Sequence, residues 1–386
     1  MATLRKNRFR PILRRTAALA VVFGFVAACG TKPETPEPAA EKDRSALRAA
    51  MEAAVRGGMP GVQVVITEGG HDWTATGGAG DVGTGAPFPD DARVRIGSNT
   101  KTYVTSVLLQ LVGEGKVELD APVARYLPGV VEGNGNDGNR IMVRSLLGHT
   151  SGLADYLEFP EYDLDANALA RRPQQAEEMV RRTMMTKPPH FAPNTGAEYS
   201  NTNFLLAGMV IERVTGDSVA TEIDRRILAP LGLSATYFPL AGEIEIRGPH
   251  PRGYQTIDGK LVDVTDLDPS VGGAAGAMVA SGADLNRFFT ALLAGKVVAP
   301  AQLDEMRRDP RSLNKMSDIT YGLGIGRFSF PCGKTAWGHG GGIPGFWTQS
   351  AITTDGRAVT VTFNKLEDSA EQAELGHKVF DAAMCS

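Results

Sequence analysis

Strand-forming patterns fall at the two ends of this 386-residue chain, and the stretch between them reads as helix and loop. Near the start, "GVQVVITEGG" and "DWTATGGAG" are β-rich runs joined at Gly69-Gly70-His71, a hairpin signal. Near the end come "TYGLGIGRF", "WTQSAITTD" and "AVTVTFNK", with Asp355-Gly356 as a turn between the last two. The middle, roughly 125 to 265, carries loops and the helical patterns "QQAEEMVRRTMM", "NFLLAGMVIERVTG" and "EIDRRILAPLG", with Gly216 capping the second. "SGADLNRFFTALLAG" and a segment from about Ala370 to Met384 also read as helices. Strands must lie side by side to pair. This distribution therefore predicts an antiparallel sheet built from the N- and C-terminal parts, flanked by helices and interrupted by a mostly helical insertion. That is an α/β protein of the α+β type, and no internal repeat is present.

The first 28 residues read as a leader. "MATLRKNRFRPILRR" carries six basic residues and no acid, and Thr16–Ala28 is an apolar run too short to span a bilayer comfortably. Val26-Ala27-Ala28-Cys29 resembles the lipobox of bacterial lipoproteins, which implies lipidation of Cys29 after cleavage and an exported protein held at the extracytoplasmic side of the cell membrane. Arg14-Arg15 leaves twin-arginine and general export both open. Residues 29–42, rich in Pro, Glu and Thr, bury too little apolar surface to order and read as a tether. Residues 43–386 then form the folded domain.

Losing the leader takes the formal charge from −4 to −10, and an acidic body with no basic cluster excludes nucleic acid as a partner. Six scattered histidines without HExxH or paired-cysteine spacing give no support for a metal site, and no cofactor motif is present. With Cys29 lipidated, Cys332 and Cys385 remain, and that parity in an oxidising compartment predicts a disulfide between them. Oligomeric state is not written in the sequence.

"RVRIGSNTKTYV" places Ser98 and Lys101 three residues apart at the start of a helix whose apolar positions Val104, Val107, Leu108, Leu111 and Val112 bury one face. One turn of helix brings a lysine beside a serine hydroxyl, and the amides of the helix start point toward a developing oxyanion. A serine needs a base, and a lysine serves only where its pKa is lowered. On its own the spacing is common. It is joined by Tyr199-Ser200-Asn201 in "EYSNTNF" and by His339-Gly340-Gly341 in "WGHGGGIPGF", with "LLGHTSGLADY", "YSNTNFLLAGMVIERVTG" and "GAMVASGADLNRFF" around them.

Together these motifs resemble the serine D-alanyl-D-alanine carboxypeptidase and class C β-lactamase family, over nearly all of residues 45–386. The resemblance implies a β-lactamase/transpeptidase-like fold and the following roles. Ser98 attacks a carbonyl and becomes the acyl-enzyme. Lys101 and Tyr199 move the proton, either as a lysine base or as a tyrosine whose pKa is lowered by cationic Lys101. Asn201 donates to a substrate carbonyl, His339 helps bind or polarise the substrate's carboxylate end, and the backbone N–H groups of Ser98 and Gly342 form the oxyanion hole.

This chain departs from the family pattern at Gly340, where a hydroxyl that contacts the substrate carboxylate is expected. Arg327, on the run leading toward His339, is a candidate replacement clamp. Lys334 in "KTA" imitates the lysine form of the third motif, but the glycines and the aromatic strand follow His339 instead. "HGGG" imitates a lipase oxyanion loop, yet no serine here stands in Gly-x-Ser-x-Gly; Ser218 is nearest. His149 reads as structural, and Trp73, Trp337 and Trp347 as core or rim aromatics, with Phe346 and Trp347 beside His339. The implied activity is an acyl-enzyme serine hydrolase, foremost a D-Ala-D-Ala carboxypeptidase on peptidoglycan stems. A β-lactamase, an esterase and a silent peptidoglycan-binding lipoprotein stand as alternatives, so the substrate is a peptide, a β-lactam or an ester.

Overall fold

The two strand-rich ends meet in one sheet. In a computed structural model that describes residues 43–160, 171–314 and 316–386, ten strands matter for the site. They are β1 (Gly61–Glu68), β2 (His71–Gly78), β3 (Arg93–Arg95), β4 (Val279–Ser281), β5 (Arg311–Leu313), β6 (Met316–Tyr321), β7 (Gly326–Ser329), β8 (Thr335–Ile343), β9 (Phe346–Thr353) and β10 (Ala358–Phe363). Eight of them form an antiparallel sheet in the order β2-β1-β10-β9-β8-β7-β6-β5. The first strand pairs with the last, Val62 opposite Phe363 and Ile66 opposite Val359. β3 and β4 pair separately, Val94 opposite Ala280. The leader and tether, residues 1–42, lie outside the described residues. Among those described, no helix is long and apolar enough to cross a membrane.

The helices are α1 (Ser45–Arg56), α2 (Thr100–Gly113), α3 (Ala176–Thr186), α4 (Thr202–Thr215), α5 (Gly282–Leu293) and α6 (Ala370–Cys385). α1 and α6 cover one face of the sheet, where Leu47, Met51, Val64, Phe363, Trp347, Val379 and Phe380 form one core. α2, α4 and α5 belong to a second, larger core with Tyr103, Leu108, Phe204, Leu206, Phe288 and Phe289. Each such side chain buried stabilises the fold by roughly 1.5–3 kcal/mol. With both faces covered, every residue of β9 and β10 is buried. Their polar side chains bond one another: Ser350 with Thr360 at 2.8 Å, and Thr360 to Asn286 at 2.8 Å.

Three local expectations are refined. α2 is buried on nearly all sides rather than on one face, because it runs between the sheet and the other helices. Its polar positions turn inward to carbonyls, Thr102 to Gly324 at 2.8 Å and Ser106 to Thr102 at 2.8 Å. The run "TYGLGIGRF" is two strands with a break at 322–325. Gly324 has φ +63° there, and a Cβ on it would stand 1.9 Å from Thr105 Oγ1 of α2. The middle region holds two short hairpins, 132–137 and 254–263, besides its helices. A disulfide joins Cys332, in the β7–β8 turn, to Cys385 at the end of α6, with Cα atoms 5.9 Å apart.

Candidate active site

Ser98 lies in a 3-10 turn, Gly97–Asn99, that connects β3 to α2. The turn needs glycine at 97: φ is +50°, and a Cβ would meet the carbonyl oxygen of Gly342 at 2.8 Å and its nitrogen at 3.0 Å. β8 presses equally close from its own side, where a Cβ on Gly341 would stand 2.0 Å from the Ile96 carbonyl and 2.9 Å from the Ser98 nitrogen. The run of glycines after His339 thus lets a strand lie directly against the serine turn. That contact brings the backbone of Gly342 alongside that of Ser98.

Lys101, in the first turn of α2, is fully buried. Its Nζ lies 2.9 Å from Ser98 Oγ, 2.8 Å from Asn201 Oδ1 and 2.7 Å from the Ala275 carbonyl. Burial lowers its pKa to about 7, against the opposing charge of Asp155. The two carbonyl oxygens only accept, whereas the serine hydroxyl donates or accepts. A neutral amine fits this set: two N–H groups go to the carbonyls, and the lone pair faces the serine proton.

Tyr199 arrives on the segment leading into α4, and its hydroxyl bonds to Ser98. Its ring lies 4.2 Å, centroid to centroid, from His149, and Lys101 Nζ is 4.8 Å from the ring centre. Burial raises the phenol well above its ordinary pKa, a shift the Ser98 hydrogen bond opposes and the nearby Asp155 charge reinforces. The expected alternative of a phenolate held down by cationic Lys101 therefore has the electrostatics against it. His149 is buried and neutral, its Nδ1 accepting from Ser200 N and Asn203 Nδ2 at 3.2 Å each. It supports Tyr199 as packing.

Asn201 stands at the start of α4. While its Oδ1 accepts a hydrogen bond from Lys101, its Nδ2 donates to Asp155 Oδ2 at 2.8 Å, leaving one N–H for the substrate donation expected of it. Asp155 also accepts from the Asn201 backbone N–H, and from Leu157 as the cap of a short turn. Burial raises its carboxyl pKa.

His339 is 4% exposed in the middle of β8. Its Nδ1 bonds to the Gly340 carbonyl, so Nδ1 carries the proton, and Nε2 accepts from the Tyr321 hydroxyl at 2.7 Å. Burial, with the Lys101 charge, lowers its pKa to about 3. His339 lines the cavity over Ser98 as an uncharged ring with both nitrogens engaged, so it brings no positive charge to a substrate carboxylate.

A cavity of about 290 Å³ opens over Ser98, lined by Tyr199, Tyr321, His339, Gly341, Gly342 and Trp347 among others. Arg327 is not in the lining. It alternates to the exposed side of β7 between buried Gly326 and Phe328, which do line it, so it offers no clamp. Lys334 stands before β8 and pairs with Asp355 at 3.7 Å. Phe346 turns into the core, away from Trp347. Ser218 caps a helix, accepting from Thr221 N.

Sequence reasoning missed Asp155, Ala275, Tyr321 and the cavity residues Gln349 and Glu367. Asp155 lies inside the quoted "LLGHTSGLADY" and had that much of a signal; the others have none beyond residue type.

A profile of the Beta-lactamase family matches residues 44–384. The chain belongs to the beta-lactamase family. Within that family it is similar to a D-stereospecific amidohydrolase from Streptomyces sp., at 37% identity with TM-score 0.81 over 89% of this chain and 99% of that one. A D-amino acid amidase from Ochrobactrum anthropi aligns at 26% identity and TM-score 0.75, over 88% and 98%. A D-aminopeptidase of Brucella ovis is 28% identical over 343 residues, 84% of this chain, which spans only 60% of that protein. The expected antiparallel sheet flanked by helices is thus the fold of this beta-lactamase family member.

Proposed function

We propose that this serine hydrolase is an amidohydrolase, acylated on Ser98, that cleaves the amide following a D-configured residue. The observation that carries the reading is the chemistry of the cavity wall. No lysine or arginine lines it among the described residues, and His339 is neutral with both nitrogens bonded. A carboxypeptidase must desolvate its substrate's terminal carboxylate, which is costly without a partner cation. An amide brings no such charge. The names of the Streptomyces, Ochrobactrum and Brucella relatives support the D configuration.

In the proposed cycle, neutral Lys101 takes the Ser98 proton as Oγ attacks the carbonyl carbon. The oxyanion sits between the backbone N–H groups of Ser98 and Gly342, each such donor contributing roughly 3 kcal/mol to the transition state. Tyr199, a phenol at neutral pH, hands a proton to the leaving nitrogen and regains one from the Lys101 ammonium, which returns to the neutral amine. The amine departs, and water cleaves the acyl-enzyme through the same groups.

The full-length protein and Ser98→Ala are assayed on D-alanine p-nitroanilide, an N-acyl D-Ala-D-Ala peptide, a penicillin and an ester. Amide cleavage should dominate and fall at least ~10³-fold in Ser98→Ala. Faster release of D-alanine from the peptide would favour the carboxypeptidase reading, and rapid lactam turnover the β-lactamase. No turnover of any substrate, with no penicillin label, would leave a binding module. We propose further that residues 1–28 direct export and that Cys29 carries the lipid anchor. Metabolic palmitate label should appear in the full-length protein and vanish in Cys29→Ala.

A further inference from the structure

Three polar side chains reach the cavity and take no part in the chemistry above: His377 of α6, whose ring lies against Trp347, and Gln349 and Glu367. Gln349, in β9, is 6% exposed, and its amide makes no hydrogen bond among the described residues. Its stem is buried while the amide opens onto the substrate's space, free to take a ligand. It is paired directly opposite Gly340 of β8. A Cβ placed on Gly340 would find one atom within 4 Å, Gln349 Oε1 at 3.9 Å. The amide oxygen thus borders the room that the absent side chain of Gly340 leaves open.

Glu367 comes from the segment between β10 and α6. Its carboxylate is exposed, lines the same cavity and forms no ion pair among the described residues, whereas Lys365 beside it is bound to Asp368. Its neighbour Leu366 reaches the oxyanion strand, where a Cβ on Gly342 would meet Leu366 Cδ2 at 3.0 Å. The wall between is aromatic, with Trp347 and Phe328. An unpaired carboxylate, an unpaired amide oxygen and an aromatic face all favour a small cation.

We propose that Gln349 and Glu367 form the subsite for the free α-ammonium of the substrate's reacting residue. This rests on the amidohydrolase reading and deepens it: the acyl donor is an unblocked amino-terminal residue. The ammonium donates to Gln349 Oε1 and to the Glu367 carboxylate, which leads the adjacent carbonyl toward Ser98 and Gly342. Blocking the amine removes both contacts and leaves a carboxylate without a partner.

The test compares D-alanine p-nitroanilide with its N-acetyl form in the wild type, Glu367→Gln, Glu367→Asp and Gln349→Leu. The wild type should favour the free amine, and Glu367→Gln should cut that preference roughly tenfold, mainly through KM. Glu367→Asp should restore part of it, and Gln349→Leu should reduce it. Raising salt from about 0.05 to about 0.5 M should narrow the wild-type preference more than that of Glu367→Gln. Since Glu367 is exposed and unpaired, its variants test the idea even if Gln349→Leu fails to fold. Cleavage of both anilides with a preference that Glu367→Gln does not move overturns the subsite alone. Ester turnover with neither anilide cleaved overturns the amidohydrolase reading and the subsite with it.

Discussion

Burial strips Lys101 of water and brings its pKa to about 7, so near neutrality a large fraction of the enzyme carries the amine that can accept the Ser98 proton. Protonation below that point removes the base. kcat/KM should therefore rise with pH as a one-proton step with midpoint near 7. Tyr199 is raised above the usual tyrosine range, so it stays a donor, and on an N-acetylated amide, which has no α-ammonium to lose, no alkaline fall is expected below about pH 10. A pH–rate profile on such an amide checks both limbs; a flat profile from pH 6 to 8 would exclude Lys101 as the base. Lys101→Arg, which cannot deprotonate, should lose at least ~10³-fold. Ser98 and Lys101 were legible because one helical turn binds them together, and Tyr199 and His339 because they fall in recognisable motifs. Asp155, Tyr321 and Gln349 were not, because only tertiary structure brings them beside that helix from distant segments.

At the scale of elements, the close approach of β8 to the Ser98 turn is the most sensitive contact. Gly341→Ala would drive a methyl into the Ile96 carbonyl, so something must shift, and the serine turn is what stands there. Displacement by about an ångström costs on the order of 10²-fold in rate. We expect a kcat loss of that size with the far-UV spectrum retained; Gly340→Ala, whose Cβ meets nothing closer than 3.9 Å, should lose much less. The β1–β2 hairpin was readable from Gly69-Gly70, since both have φ above +50° as a two-residue type I′ turn requires. The break at 322–325 was not, because Thr105 imposes it from α2. The all-round burial of α2 was hidden for the same reason: Thr102 and Ser106 look solvent-facing until the Gly324 carbonyl across the interface accepts from Thr102 and the helix's own Thr102 carbonyl accepts from Ser106.

Across the whole molecule, the Cys332–Cys385 bond ties the last helix to the β7–β8 turn over a separation of 53 residues. Closing such a loop contributes about 4 kcal/mol in the chain-entropy model. Replacing both cysteines by serine should lower Tm by several degrees, and reductant should destabilise the wild type but not the double variant; differential scanning calorimetry checks this. The sheet sets a further condition on when the enzyme can exist. Because β1 pairs with β10 and the serine turn rests on β8, the centre is assembled from residues synthesised early and residues synthesised last. A ribosome that has finished Tyr199 holds a nucleophile, a base and a proton carrier with no strand to close over them. Hydrolytic capacity therefore arrives with the final strands of the chain, all at once, and a truncated product is inert rather than weakly active.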